Sequence, residues 1–308
     1  MKFRFSGFSE MSDILCSEKI SAEDYAVKRE AFISGQTEDA ILNELDRRIT
    51  VTRASIIKGL SEPQHSRSGL TRGAATAFCN AEKRFVKSDL YRRALAYSLA
   101  INEVNACGGK IVAFPTAGSS GIVSGAIWAW WDTNHGEQQG EASPLSVPQM
   151  PLPPYPRQLR GAFLVSSLAG VVIAQQATLA GSEGGCQAEC GSAGTMAACA
   201  LAYLEGLSLG ECFSAAALSL KNSLGLACDP VAGLVEVPCV KRNAFVAANA
   251  LVAVDLTLAG IKSTIPFDEV VSAMKQIGDM LPAKIRENAQ GGLAVTPSGL
   301  AVKNNLGS

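Results

Sequence analysis

The chain has 308 residues, of which 47% are hydrophobic and only 6% aromatic, so alanine and aliphatic side chains must build most of its core. Its formal net charge of −1 argues against nucleic acid or an anionic membrane surface as a partner. No apolar run of signal-peptide length follows Lys2 and Arg4, so we expect a soluble, cytoplasmic protein.

The N-terminal segment, residues 1–60, is charged and carries an apolar periodicity typical of surface helices. Ile41, Leu45 and Ile49 recur at helical spacing among acidic and basic residues. We therefore predict a helical segment over 1–60 that packs on a larger helical domain over 61–308. A loop rich in Gly, Ser and Pro, centred near residue 66, joins the two.

The remainder of the chain is dense in small and aliphatic residues, which predict a series of helices. Their approximate ranges are 91–104, 162–180, 193–206, 211–223, 244–259 and 266–280. The stretch 162–180 is long enough to span a membrane, but its Ser and Gln pairs favour a buried core helix. No segment shows the alternation of a β-strand. The predicted fold class is mainly α, with a single helical domain.

Two irregular segments interrupt this pattern. Residues 132–158 are polar and contain six prolines, so we predict a Pro-rich loop, exposed or partly disordered, within one domain. The run PTAGSS at 115–120 is rich in small residues that let backbone N–H groups face a cavity. A helix start after this run would favour an anion there, and a tight turn between two elements is the alternative.

Six of the nine cysteines lie between residues 186 and 239. An odd number of cysteines without an export signal fits reduced thiols better than disulfides. Cys186, Cys228 and Cys239 lie in stretches that contain Gly or Pro, where we expect the backbone to leave helical geometry. Thiolates on such loops can converge on an iron–sulfur cluster or zinc. No Cys-x-x-Cys occurs, so spacing does not identify the metal, and ordinary buried thiols remain the alternative.

The other cysteines of this region carry weaker signals. Cys190 lies four residues after Cys186 and could face the same side of a helix, so it is the candidate for a fourth ligand. Cys199 and Cys212 lie within alanine-rich helices, where a free thiol usually serves as a small apolar side chain.

The sequence resembles a known family, the α chain of the iron–sulfur-dependent L-serine dehydratases, over about residues 40–300. The motifs that carry the resemblance are SGLT at 68–71, PTAGS at 115–119, GGCQAE at 184–189, the stretch 226–243 and GGLAVTP at 291–297. Several long matches in the same order are hard to obtain by chance.

The resemblance implies a mostly helical domain with a [4Fe–4S] cluster held by Cys186, Cys228 and Cys239. It further implies that L-serine is dehydrated and deaminated to pyruvate and ammonia. A separate β chain, with a Ser/His-rich loop near the substrate, is expected to complete the enzyme. The two histidines of this sequence, His65 and His135, do not lie in such a loop.

The implied reaction needs a Lewis acid for the β-hydroxyl of L-serine and a base for its Cα proton. Three ligands leave one iron open for the hydroxyl. The carboxylates nearest the ligands in sequence, Glu189 and Asp229, are the candidate bases, although support of the ligands or helix capping is the alternative role for each. Lys221 is a further candidate, and Cys190 is a weaker one.

The carboxylate of L-serine needs hydrogen-bond donors or a positive charge. Thr116, Ser119 and Ser120, with the N–H groups of their turn, are the predicted substrate-binding residues. Asn222, with the neighbouring Lys221, is a second candidate for that carboxylate.

Other functions stay open on the sequence. A related cluster lyase could act on L-threonine or L-cysteine, since an open iron could bind a thiolate as well. A non-catalytic iron–sulfur sensor is possible, but such a protein ordinarily carries a module that reads nucleic acid or a partner, and none is evident. A helical protein without metal is the third alternative, and visible absorbance of anaerobically purified protein would distinguish it.

Overall fold

The computed structural model describes residues 2–83, 85–136 and 145–306. Within these ranges the regular structure is helical, with two isolated β-bridges and no strand, which confirms the mainly α prediction. The α-helices are α1 (Phe8–Glu18), α2 (Ala22–Ser34), α3 (Glu38–Ser61), α4 (Ala74–Asn80), α5 (Asp89–Ala106), α6 (Ser120–His135), α7 (Arg157–Gln176), α8 (Gly181–Gly184), α9 (Ser192–Leu204), α10 (Leu209–Lys221), α11 (Cys239–Leu258), α12 (Phe267–Met280) and α13 (Pro297–Leu306).

Several helix starts are marked by polar caps that the sequence supplies. The hydroxyls of Ser21, Thr37 and Ser88 each accept a backbone N–H from the first turn of α2, α3 and α5. Ser208 and Glu211 form a reciprocal capping box at the start of α10. These caps satisfy N–H groups that a helix leaves without partners.

The helix α9 is the centre of the core. It contacts α6, α7, α10 and α11, and every residue in it except Tyr203 is buried. A Cβ atom at Gly194 would lie 2.6 Å from Cγ1 of Val246, so glycine allows α9 and α11 to approach closely. This contact lies within about two turns of the start of each helix, and the N-terminal ends of α9 and α11 are therefore neighbours.

The N-terminal helices pack on this core. Helix α1 contacts α12, α2 contacts α7 and α3 contacts α5. A buried ion pair joins α3 to α6, because Arg53 Nη1 lies 2.7 Å from Asp132 Oδ2. The hydroxyl of Tyr97, on α5, donates to the same carboxylate at 2.7 Å. The three helices are thus linked by one polar network inside the core.

The structure narrows the predicted Pro-rich loop at 132–158. Helix α6 continues to His135, because Asp132 belongs to the buried network and not to a solvated loop. At the other end of the predicted loop, α7 already begins at Arg157. Residues 137–144 lie outside the described residues. In the part that follows, Leu145 and Tyr155 are buried, so this stretch covers the core.

Helix α7 is long and apolar enough to cross a membrane by length and composition. It packs against α2, α6, α9 and α12, and most of it is buried. This environment is the one expected of a core helix. Its observed start and end are several residues before those predicted from composition.

Candidate active site

The turn that carries Cys186 depends on a glycine. Gly185 has φ of +73°, and a Cβ atom there would lie 2.6 Å from Cδ1 of Leu281 and 2.8 Å from the carbonyl oxygen of Leu226. Cys186 follows directly, and a π-helical turn over Gln187–Gly191 then leads into α9. Such turns are frequent at functional sites because they redirect side chains within a helix.

The side chain of Gln187 connects this turn to the loop that carries Cys228. It is fully buried, its Nε2 donates to the carbonyl of Met274 at 2.9 Å, and its Oε1 accepts the N–H of Gly225 at 3.0 Å. One amide therefore joins the Cys186 turn, the 225–228 loop and α12.

The loop around Cys228 is also paired with a segment near the C-terminus. The N–H of Cys228 donates to the carbonyl of Ile285 at 2.9 Å, and the N–H of Glu287 donates to the carbonyl of Cys228 at 2.7 Å. Next to it, Oδ2 of Asp229 accepts the N–H of Leu293 at 2.8 Å. Asp229 is buried, and its observed contacts are those of a residue that supports the ligand loop.

Cys239 is the first residue of α11, although the sequence led us to expect a non-helical position beside Pro238. Proline is tolerated at the start of a helix, where its missing N–H has no intrahelical acceptor. One turn later Arg242 donates from Nη1 to the carbonyl of Ala227 at 2.9 Å, and its Nη2 lies 3.9 Å from Oδ1 of Asp229. Arg242 therefore joins the start of α11 to the Cys228 loop.

The thiols of these three segments interact with one another. Hydrogen bonds from Cys190 and Cys228, supported by the charge of Arg242, hold the pKa of Cys186 well below its usual value. The same contacts with Cys186, together with burial, raise the pKa of Cys190 and of Cys228. Burial raises the pKa of Cys239 to about 12. Burial thus opposes ionisation of these thiols, and the guanidinium of Arg242 supports a negative charge on Cys186.

Glu189 projects a carboxylate to the same place. Its Oε2 lies 3.8 Å from Sγ of Cys228, and the hydroxyl of Thr116 forms a hydrogen bond with it. Burial is the main reason that the pKa of Glu189 is raised to about 7. The ligand atoms of Glu189, Cys228 and Glu287 all lie within 4.8 Å of one another, so oxygen donors as well as thiols face this site.

The PTAGSS turn lies beside Glu189. Oγ1 of Thr116 is 3.0 Å from Oγ of Ser119, and a Cβ atom at Gly118 would lie 3.9 Å from Oε1 of Glu189. Ser119 and Ser120 are fully buried where α6 begins. Within the described part of the chain the hydroxyl of Ser120 has no hydrogen-bond partner. The turn therefore leads from the carboxylate of Glu189 to the start of α6, where the buried hydroxyl of Ser120 lies.

Two predicted residues are not brought to the cysteines by any contact among the described residues. Asn222 is exposed at the end of α10, and its Nδ2 donates to Oδ1 of Asn249 at 2.6 Å. Lys221, the last residue of α10, is partly exposed. Their role in binding substrate stays a prediction.

Glu236, for which the sequence predicted no role, lies among three hydroxyl groups in the structure. Its carboxylate accepts hydrogen bonds from Ser66, Ser68 and Thr71, each at 2.6 Å. Burial would raise the pKa of Glu236, but these hydroxyls outweigh it and lower the pKa. The SGLT motif thus holds the loop that leads to Cys239.

The sequence also predicted no role for Arg242 or Gln187, although both residues lie within motifs that carry the family resemblance. Arg242 stands three residues after Cys239, and residues at that spacing share a helix face. This spacing would have been enough to predict a cation beside Cys239. Gln187 gave no such sign, because its partners at Gly225 and Met274 are remote in sequence.

Buried cysteines from three segments lie beside a carboxylate and near a helix start in this core. The class of protein is therefore a helical protein with a thiol-rich site. The chain matches the model of the serine dehydratase alpha chain family over residues 12–294. The chain therefore belongs to the serine dehydratase alpha chain family.

Individual relatives agree with this assignment. The chain is 40% identical over 305 residues to a probable L-serine dehydratase, alpha chain, of Bacillus subtilis (strain 168), covering 98% of this chain and 95% of that one. It is 38% identical over 300 residues to the L-serine dehydratase, alpha chain, of Peptoniphilus asaccharolyticus, covering 96% of each. An L-serine dehydratase of Streptomyces coelicolor is 34% identical over 268 residues, which are 84% of this chain but only 54% of that longer protein.

Proposed function

We propose that this chain is the α subunit of a cytoplasmic L-serine ammonia-lyase, which converts L-serine to pyruvate and ammonia, and that Cys186, Cys228 and Cys239 hold its [4Fe–4S] cluster. The observation that carries the proposal is the convergence of buried thiols from three segments beside the carboxylate of Glu189. Membership in the serine dehydratase family supports the substrate.

The donor set fits an iron–sulfur cluster. Soft thiolates are the ligands that such clusters use, and the buried Arg242 offsets part of their negative charge. Cys190 contacts Cys186 and remains available to donate a hydrogen bond to its sulfur. When bound through three cysteines, the cluster supplies a Lewis acid that assists departure of the β-hydroxyl.

Glu189 is the proposed base for the Cα proton. Its carboxylate is mostly buried beside Cys228, and the hydroxyl of Thr116 orients it. The Cα proton passes to Glu189 as the Cβ–O bond breaks, and the departing hydroxide takes up a proton to become water. The product is aminoacrylate, which tautomerises to an imine. Hydrolysis of that imine gives pyruvate and ammonia.

The PTAGSS turn is the proposed site for the substrate carboxylate. The start of α6 contributes the positive end of its helix dipole, which favours an anion. The buried hydroxyl of Ser120 can donate a further hydrogen bond. A substrate carboxylate bound there would lie close to Glu189. Because Cα is bonded to that carboxylate, its proton would then face the proposed base.

A separate β chain is the proposed partner. Two relatives of nearly equal length are named alpha chains, whereas the Streptomyces coelicolor protein carries a large additional part. Both histidines of this chain, His65 and His135, are exposed. We propose that the β chain completes the substrate site with side chains that this chain does not supply.

The test is anaerobic iron–sulfur reconstitution of the wild type and of Cys186→Ala, Cys228→Ala and Cys239→Ala, each mixed with the β chain. Visible absorbance, iron content and pyruvate release from L-serine are measured. Cys199→Ala is the matched control, because Cys199 is fully buried in α9 and its sulfur lies 4.0 Å from the carbonyl oxygen of Val165 on α7. We expect the control to behave as the wild type and the three other variants to lose cluster and activity.

Two results would contradict the proposal. A wild type that binds no iron under these conditions would mean that the cysteines are ordinary buried thiols. A cluster-bearing complex that releases no pyruvate from L-serine, but acts on L-threonine or L-cysteine, would identify a related lyase.

A further inference from the structure

Asn243 connects the start of α11 to the PTAGSS turn. It is fully buried one turn after Cys239, and its Nδ2 donates to the carbonyl of Cys239 at 2.9 Å and to the carbonyl of Gly118 at 2.8 Å. Its Oδ1 accepts the N–H of Gly121 at 3.0 Å. One side chain therefore connects Gly118 of the turn and Gly121 of α6 with Cys239, the first residue of α11.

A second buried amide fixes the same turn from the opposite helix. Nδ2 of Asn102, on α5, donates to the carbonyl of Gly118 at 2.8 Å, and Asn102 is fully buried. A Cβ atom at Gly121 would lie 2.3 Å from the carbonyl oxygen of Ser98 and 3.0 Å from Oδ1 of Asn243. The turn is thus hydrogen-bonded to both α5 and α11, and Gly121 next to it has no room for a side chain.

These contacts are directional, which distinguishes them from apolar packing. A buried amide satisfied on both sides sets a distance and an orientation, because a shifted partner leaves a polar group without a hydrogen bond. We infer that Asn243 is a positioning residue that fixes the turn for the substrate carboxylate relative to the cluster ligand Cys239. The inference rests on the proposed function, since it takes Cys239 as a ligand and 116–120 as the carboxylate site.

As a consequence, the proposed carboxylate site at 116–120 and the proposed ligand Cys239 are held at a fixed distance from each other. L-Serine carries its carboxylate and its leaving hydroxyl on neighbouring carbons, so both must reach their sites at the same time. A misplacement of about 1 Å can cost on the order of a hundredfold in rate. Asn243 does not need to touch the substrate to have this effect.

The test compares Asn243→Ala with Thr257→Val in the reconstituted complex with the β chain. Thr257 is a suitable control because it is buried on the same helix, far from Cys239, and its hydroxyl donates to the carbonyl of Ala253. For Asn243→Ala we expect unchanged iron content and a fall in kcat/KM for L-serine of about ten- to a hundredfold, mainly through KM. The L-serine concentration that half-saturates the change in the visible spectrum of the cluster should rise in parallel.

A second variant keeps the inference testable if Asn243→Ala folds poorly. Asn102→Ala removes one donor to Gly118 and leaves Cys239 untouched, so it should weaken L-serine binding by a smaller factor without loss of iron. Binding of L-serine by soluble Asn243→Ala, or by Asn102→Ala if that variant replaces it, at wild-type concentrations would overturn the inference. A wild type without cluster or pyruvate release would instead overturn the proposed function, and the inference with it.

Discussion

Glu189 and Glu236 are two largely buried carboxylates whose surroundings move their pKa values in opposite directions. Glu189 faces the sulfur of Cys228, and burial raises its pKa to about 7. Burial acts on Glu236 as well, but hydrogen bonds from Ser66, Ser68 and Thr71 outweigh it and lower the pKa. One carboxylate is suited to exchange a proton, and the other is suited to remain an anion.

The base role of Glu189 predicts the behaviour of Glu189→Gln. The amide keeps the shape of the side chain but cannot accept the Cα proton, so pyruvate release from L-serine should fall by about a hundredfold or more. The visible absorbance of the cluster should persist. Glu183→Gln is the control, because Glu183 is an exposed carboxylate six residues earlier. Wild-type turnover by Glu189→Gln would assign the base to another residue, with Asp229 the next to examine.

The lowered pKa of Glu236 predicts a stability that depends on pH. Its contribution is fully present above the ordinary glutamate pKa of 4.5 and is lost as the pH falls through the lower value of the folded protein. Glu236→Gln should therefore lower the free energy of unfolding by roughly 1–3 kcal/mol at neutral pH, and the difference should shrink in acid.

Urea unfolding of metal-free protein over a pH series measures this effect. Glu62→Gln, at an exposed position in the loop that carries Ser66 and Ser68, is the control and should change little at any pH. A deficit of Glu236→Gln that stays constant into acid would show that packing, not charge, explains it.

At the scale of elements, the polar network among α3, α5 and α6 is the connection most sensitive to a single change. Arg53 is 5% exposed, pairs with Asp132, and lies with its guanidinium carbon 4.4 Å from the centroid of a Trp128 ring. Asp132→Ala would leave this cation buried without its partner. We expect it to lower the free energy of unfolding by about 3–5 kcal/mol.

The control for Asp132→Ala is Asp279→Ala, which breaks the exposed pair with Lys275 on α12. Surface pairs contribute at most about 1 kcal/mol, so the two variants should differ clearly in thermal or urea unfolding. Losses of equal size would mean that solvent reaches Arg53 once Asp132 is removed.

Helix existence followed from the sequence better than helix ends did. The predicted helix 266–280 agrees with α12 to one residue at its start, because apolar residues recur on one face there. The predicted helix 244–259 begins instead at Cys239, since proline stands before a helix start as readily as it stops one. The division of the chain at residue 60 stays a prediction. It falls at the end of α3, which contacts α5.

At the scale of the whole molecule, the thiol site joins segments that have little local regular structure of their own. Residues 228–239 contain one short 3₁₀ turn and depend on contacts with Ile285, Glu287 and Leu293. A bound metal centre would be coordinated by two residues of this stretch, Cys228 and Cys239. We therefore predict that this stretch is only partly ordered without iron.

Limited proteolysis of iron-loaded and iron-free protein measures this difference. Cleavage within 228–239 should be faster in the iron-free form, and the neighbouring 285–295 segment should follow because it pairs with Cys228. The buried helix α9 serves as the internal reference. Equal protease resistance of both forms would contradict the prediction.

The sequence by itself determined the helical class, the reduced thiols and, through its motifs, the family. These properties depend on composition, on periodicity and on residues that lie close together in the chain. The tertiary structure decided which residues join the segments that carry the cysteines: Arg242, Gln187 and Asn243. Buried amides and charges choose partners across the fold by direction and distance, and one sequence contains neither quantity.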